Sequence, residues 1–130
     1  MNRITSKIKS FGLSMAPLLL DGDVVYLKRV QFREIQLNDI LCINKNRQNS
    51  FSEGEMFTHR VIYKTRNYII TKGDANLLSD GRIYPRQIIG KVVKVKRNLP
   101  AGRQGGEIFD IESLYLLQST LYFQEIVKIK

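Results

Sequence analysis

The chain has 130 residues, 43% of them hydrophobic and 25% charged, with a formal net charge of +9. That size and balance fit a single globular domain with a modest core. No apolar run approaches the ~18 residues a membrane-spanning helix needs, and a lone cysteine, Cys42, rules out an internal disulfide and a cysteine-based metal site.

The first residues, M-N-R-I-T-S-K-I-K-S-F, are basic but lack the continuous apolar core of an export signal. The expectation is a chain that is cytoplasmic or peripheral to a membrane. The basic excess is uneven. Arg82, Arg86, Lys91, Lys94, Lys96, Arg97 and Arg103 fall between Asp80 and Glu107 with no acid among them, and Arg3, Lys7 and Lys9 precede the first acid, Asp21. Such charge can draw nucleic acid or anionic lipid. It can equally be a solvated face, because Lys91–Lys96 alternate with valines as the outer side of a strand does. No nucleic-acid-binding signature accompanies it, so nucleic acid is not an expected partner.

In chain order, residues 1–9 read as a basic lead-in, frayed or forming a short helix with Ile4 and Ile8 on one side. Ser10–Pro17 is rich in small and turn residues, which hold Ser14 at a bend with its hydroxyl clear of the backbone. Asp23–Arg29 is a strand rich in Val and Tyr. Asn38-Asp39 turns into a second strand, Ile40–Asn44, whose I-L-C-I run makes Cys42 a packed thiol. Lys45–Glu55 is a polar surface loop. Met56–Lys64 and Tyr68–Lys72 flank a short polar turn and predict a β-hairpin. Gly73–Gly81 is a turn-rich loop carrying Asp74 and Asp80. Gln87–Val95 is a strand whose Gly90 marks a bulge or a close backbone approach. Residues 99–107 read as a linker. Ile111, Leu114, Tyr115, Leu121 and Tyr122 at helical spacing predict an amphipathic helix over Asp110–Val127 that packs on the β core. The predicted fold is mainly β and antiparallel, with residues 10–98 as the principal domain and an appended helical segment at 108–130.

A serine hydroxyl needs a base to become a nucleophile. The chain has one histidine, His59, on the strand face it shares with Phe57, Val61 and Tyr63. A histidine there is either a packed core residue or the base for Ser14. A carboxylate that fixes its tautomer completes the arrangement, and Asp74 and Asp80 both stand on the loop after the hairpin. Lys64 and Lys72 are the alternative bases. No cofactor or metal is expected.

S-M-A-P at Ser14–Pro17 followed by G-D-V-V at Gly22–Val25 resembles the nucleophile box of type I signal peptidases and of LexA-like autoproteases. T-H-R-V at Thr58–Val61 is similar to the histidine box of the endoplasmic-reticulum and archaeal kind of signal peptidase. K-G-D-A-N-L-L-S-D at Lys72–Asp80 resembles that kind's third box, and I-I-G-K-V-V at Ile88–Val93 its closing strand. The resemblance covers roughly residues 10–95 with the boxes in family order. It implies a coiled, mostly antiparallel β fold and a serine endopeptidase that cuts signal or leader peptides of preproteins after small residues. It implies Ser14 as nucleophile, His59 as general base and Asp80 as the closing aspartate, with Asp74, Gly12, Met15 and Pro17 in support. Many family members carry a serine where Gly12 stands, and its hydroxyl helps hold the oxyanion. Without it the oxyanion rests on backbone N–H groups, one from Ser14, and a lost donor costs ~2.7–4 kcal/mol. Two other functions compete: a LexA-like module that cleaves itself, with Ala101–Gly102 as the small-residue bond, and a non-catalytic β module that binds a partner or an anionic surface.

Overall fold

β-Branched and aromatic residues in short runs between Gly, Asp and Asn turns set the architecture. The computed structural model describes residues 3–46, 56–98 and 106–116. These form strands β1 (Ile4–Lys9), β2 (Val24–Lys28), β3 (Ile40–Asn44), β4 (Met56–Lys64), β5 (Ile69–Lys72), β6 (Arg82–Ile83), β7 (Ile88–Asn98) and β8 (Gly106–Asp110), and helix α1 (residues 111–116). Every strand pair is antiparallel. The strands make one curled, half-barrel sheet in the order β1-β2-β7-β3-β4-β5-β6, with β8 also on β7. Among the described residues the fold is mainly β with a C-terminal helix, as the sequence predicts.

β7 is the long spine. β2 takes one of its edges, and β3 and β8 share the other end to end. Gly90 pairs with Cys42 of β3 and lies beside Lys28 at the end of β2. A Cβ there would sit 2.9 Å from the Lys28 carbonyl oxygen, so the close approach requires glycine. The core lies on both sides of β3, whose five residues are all buried. Ile40 and Cys42 pack with Val25, Leu27, Val92 and Leu114, while Leu41 and Ile43 face Val61, Ile69 and Ile83. A strand covered on both faces reads as a continuous apolar run, which I-L-C-I is. Burial pushes the Cys42 thiol up to about 11, against a smaller opposing effect of its hydrogen bond to Thr58.

On β2 the burial alternates, with Val25 and Leu27 inside. The register pairs Lys7 with Tyr26 and Tyr26 with Lys94, and Lys9 with Val24 and Val24 with Lys96. These lysines therefore rise from one outer face of the sheet while Val25 and Val95 point into the core. No helix among the described residues is long and apolar enough to cross a membrane.

Two expectations are corrected. Residues 4–9 are a strand, neither a frayed lead-in nor a helix. Ile4 and Ile8 are four apart, which suits one helix face and one strand face alike, and pairing with β2 decides between them. Gly106–Asp110 is strand β8 rather than the end of a linker and the start of a helix, because it completes the free edge of β7. The helix begins at residue 111. Its expected continuation to Val127, the loop at 47–55 and the linker residues 99–105 lie outside the described residues.

Candidate active site

The loop between β1 and β2 carries Ser14. Its base extends the strand ladder: Ser10 N–H donates to the Asp23 carbonyl at 2.6 Å and Gly22 N–H to the Ser10 carbonyl at 2.8 Å. Met15, Leu18 and Leu19 sink to 3% exposure or less and pin the loop to the core. Buried Asp23 accepts the Leu20 N–H at 2.8 Å and a fork from Arg97, Nε at 3.1 Å and Nη2 at 2.8 Å. Arg97 Nη2 also donates to the Leu18 carbonyl at 2.9 Å. Gly12 has φ +84°, a conformation that strains any residue with a Cβ, and its N–H donates to Asp21 Oδ1 at 2.7 Å. The Ala16–Pro17 peptide is cis, and Pro17 is exposed. The result is Ser14 on a crest between exposed Leu13 and buried Met15.

β4 brings His59 to that crest. Phe57 lies beside it, ring centroids 4.7 Å apart, and Val61 is buried on the same side. Tyr63 does not share this side: the register with β5 shifts between Val61 and Tyr63, and Tyr63 is exposed. The third contribution is the loop from β5 to β6. The pairing of Arg60 with Lys72 starts this loop next to His59.

These three segments place Ser14 Oγ 2.9 Å from His59 Nε2 and Asp80 Oδ2 2.6 Å from His59 Nδ1. The His59 side chain is 7% exposed and the Asp80 side chain 15%. A carboxylate accepts, so in the neutral ring Nδ1 carries the proton and Nε2 offers its lone pair to the serine hydroxyl. Ser14, His59 and Asp80 thus form a triad-like chain of hydrogen bonds suited to passing a proton from the hydroxyl to the ring. Asp74 is not part of that chain. It takes a fork from Arg60, Nε to Oδ1 and Nη2 to Oδ2, both at 2.8 Å. Of the alternative bases, Lys64 Nζ donates to the carbonyls of Phe32 at 2.9 Å and Ile35 at 2.6 Å, and Lys72 Nζ to the Gly73 carbonyl at 3.1 Å. Among the described residues no group of three or more His, Cys, Asp or Glu is arranged to hold a metal ion. The Ala101–Gly102 bond lies outside the described residues.

Sequence reasoning missed four supports. Thr71 Oγ1 donates to Asp80 Oδ2 at 2.7 Å, and Asp80 N–H returns to the Thr71 carbonyl at 2.8 Å. Arg60 clamps Asp74, and Arg97 clamps Asp23. Gly73 sits so close that a Cβ would come 2.7 Å from the Ser14 carbonyl oxygen and 3.0 Å from His59 Nε2. Arg60 adjoins the histidine and Gly73 adjoins Asp74, so proximity in sequence was a signal for both. Thr71 and Arg97 depend on strand pairing and carried none.

No family model, curated protein or solved structure matches the chain. The functional reading therefore rests on the chain's own sequence and geometry. The curled antiparallel sheet, with a serine on a loop and a histidine on a strand, is consistent with the LexA and signal-peptidase kind of fold.

Proposed function

We propose that the chain is a serine endopeptidase of the signal-peptidase kind, cutting signal or leader peptides after small residues. The observation that carries this reading is the Ser14–His59–Asp80 chain of contacts at 2.9 Å and 2.6 Å. The four sequence boxes support it, since they resemble that family in the same order.

Ser14 Oγ attacks the scissile carbonyl carbon while His59 Nε2 takes its proton. Asp80 holds the ring in the productive tautomer and stabilises the imidazolium. The oxyanion of the tetrahedral intermediate is held by backbone N–H groups. The Ser14 N–H serves here, since no acceptor among the described residues engages it. The Gly12 N–H is committed to Asp21. His59 then gives its proton to the departing amine nitrogen as the C–N bond breaks. Water attacks the resulting ester as its proton passes to His59, and the ester C–O bond breaks as His59 returns that proton to Ser14 Oγ. Leu13, Leu77 and Leu78, exposed on the loops that bear Ser14 and Asp80, offer apolar surface to an apolar peptide.

The test uses a leader peptide with small residues at the first and third positions before the cut. Ser14→Ala and His59→Ala are each expected to abolish cleavage while circular dichroism stays unchanged. Cleavage by Ser14→Ala at the wild-type rate would overturn the proposal.

A further inference from the structure

Arg60 follows His59 on β4, and its guanidinium is enclosed on more than one side. Asp74 takes its fork at 2.8 Å twice. From the other end of the chain, α1 lays the Tyr115 ring over the guanidinium, with Cζ 5.1 Å from the ring centroid. The Tyr115 hydroxyl donates to the Asn38 carbonyl at 2.8 Å, and Arg60 Nη1 reaches the same carbonyl at 3.5 Å. Ile111 and Leu114 bury α1 in the core cluster that holds Met15 and Leu18, so the helix is anchored where the serine loop is anchored. Beyond Asp74 the contacts run to the nucleophile itself. Asp74 N–H donates to Met15 Sδ at 3.4 Å, and Ala75 N–H donates to the Ser14 carbonyl at 2.8 Å.

We infer that Tyr115 is a positioning residue for the Ser14 site: its ring fixes the plane of Arg60 against Asp74, and the Asp74–Ala75 turn in turn fixes the Ser14 backbone. Its consequence for catalysis rests on the peptidase reading; its consequence for the turn does not. A partly desolvated cation–π contact sets the scale. The guanidinium is planar, so a tilt of that plane misaligns both donors of the fork at once. The Arg60 guanidinium is held further into its charged form, chiefly by the Asp74 hydrogen bonds, in keeping with a clamp that stays charged.

The test compares wild type, Tyr115→Phe, Tyr115→Leu and Tyr115→Ala as full-length chains. Two readouts are followed: hydrogen exchange of the Ala75 amide by NMR, and the rate of Ser14 acylation by a fluorophosphonate over a range of probe concentrations. Tyr115→Leu keeps apolar bulk on α1 and removes the π face, so it remains informative should Tyr115→Ala fail to fold. Tyr115→Leu is expected to speed Ala75 exchange about fivefold to tenfold and to lower the limiting acylation rate by a similar factor at unchanged probe affinity. Tyr115→Phe, which retains the ring, is expected to restore both to within about threefold of wild type. Ala75 exchange in Tyr115→Leu within twofold of wild type overturns the inference, as does Tyr115→Phe failing as badly as Tyr115→Leu. A wild-type chain that is never acylated at Ser14 defeats the peptidase reading, and Ala75 exchange then still decides the contact.

Discussion

The loop that carries Ser14 and the loop that carries Asp80 meet at His59 but are held by different physics. The serine loop is anchored by apolar burial, with Met15, Leu18 and Leu19 in the core and the Arg97 fork on buried Asp23. The aspartate loop has Gly73 as its one buried residue between 73 and 81. Thr71, Arg60 and Lys45 hold it by hydrogen bonds to Asp80 and Asp74. The two loops divide the labour. The nucleophile's place is set by apolar side chains in the core, whereas the acid's place is set by a few polar contacts.

Three substitutions separate the two anchors. Asp80→Asn keeps the shape of the side chain but lets the amide donate to Nδ1, which favours the wrong tautomer. Peptide cleavage is expected to fall on the order of 10⁴-fold with the melting temperature nearly unchanged, measured by peptide assay and calorimetry on the same sample. Leu19→Ala removes a fully buried side chain from under the serine loop. Its cost appears as lost stability, about 2–5 kcal/mol by urea denaturation, with the polar contacts of Asp80 intact. Thr71→Val removes one of the two donors at Asp80 Oδ2. A loss of about 1 kcal/mol is expected in transition-state stabilisation, read as a fivefold to tenfold fall in kcat/KM. A Thr71→Val variant that unfolds instead would erase the distinction between the loops.

The legible parts of the molecule were those governed by local pattern. β3 and β4 occupy the predicted residues because Ile40–Asn44 and Met56–Lys64 are bounded by clear turns. β1 and β8 were not legible. Ile4 and Ile8 fit two periodicities, and Gly106–Asp110 follows a Gly-rich run, so both needed a partner strand to declare themselves. At the site, the residues alone left Asp74 and Asp80 as equals. The family resemblance favoured Asp80, and the fold shows Asp80 reaching the ring while Arg60 occupies Asp74. Thr71 and Arg97 act through pairings 9 and 74 residues apart, which no local signal encodes.

The central claim is that His59 activates Ser14. Its most direct test is labelling of the full chain with a fluorophosphonate, with the adduct located by peptide mass mapping. The account predicts a single adduct on Ser14 that disappears in His59→Ala. No adduct on the folded wild-type chain, or an adduct on Ser14 that forms equally fast in His59→Ala, would contradict it.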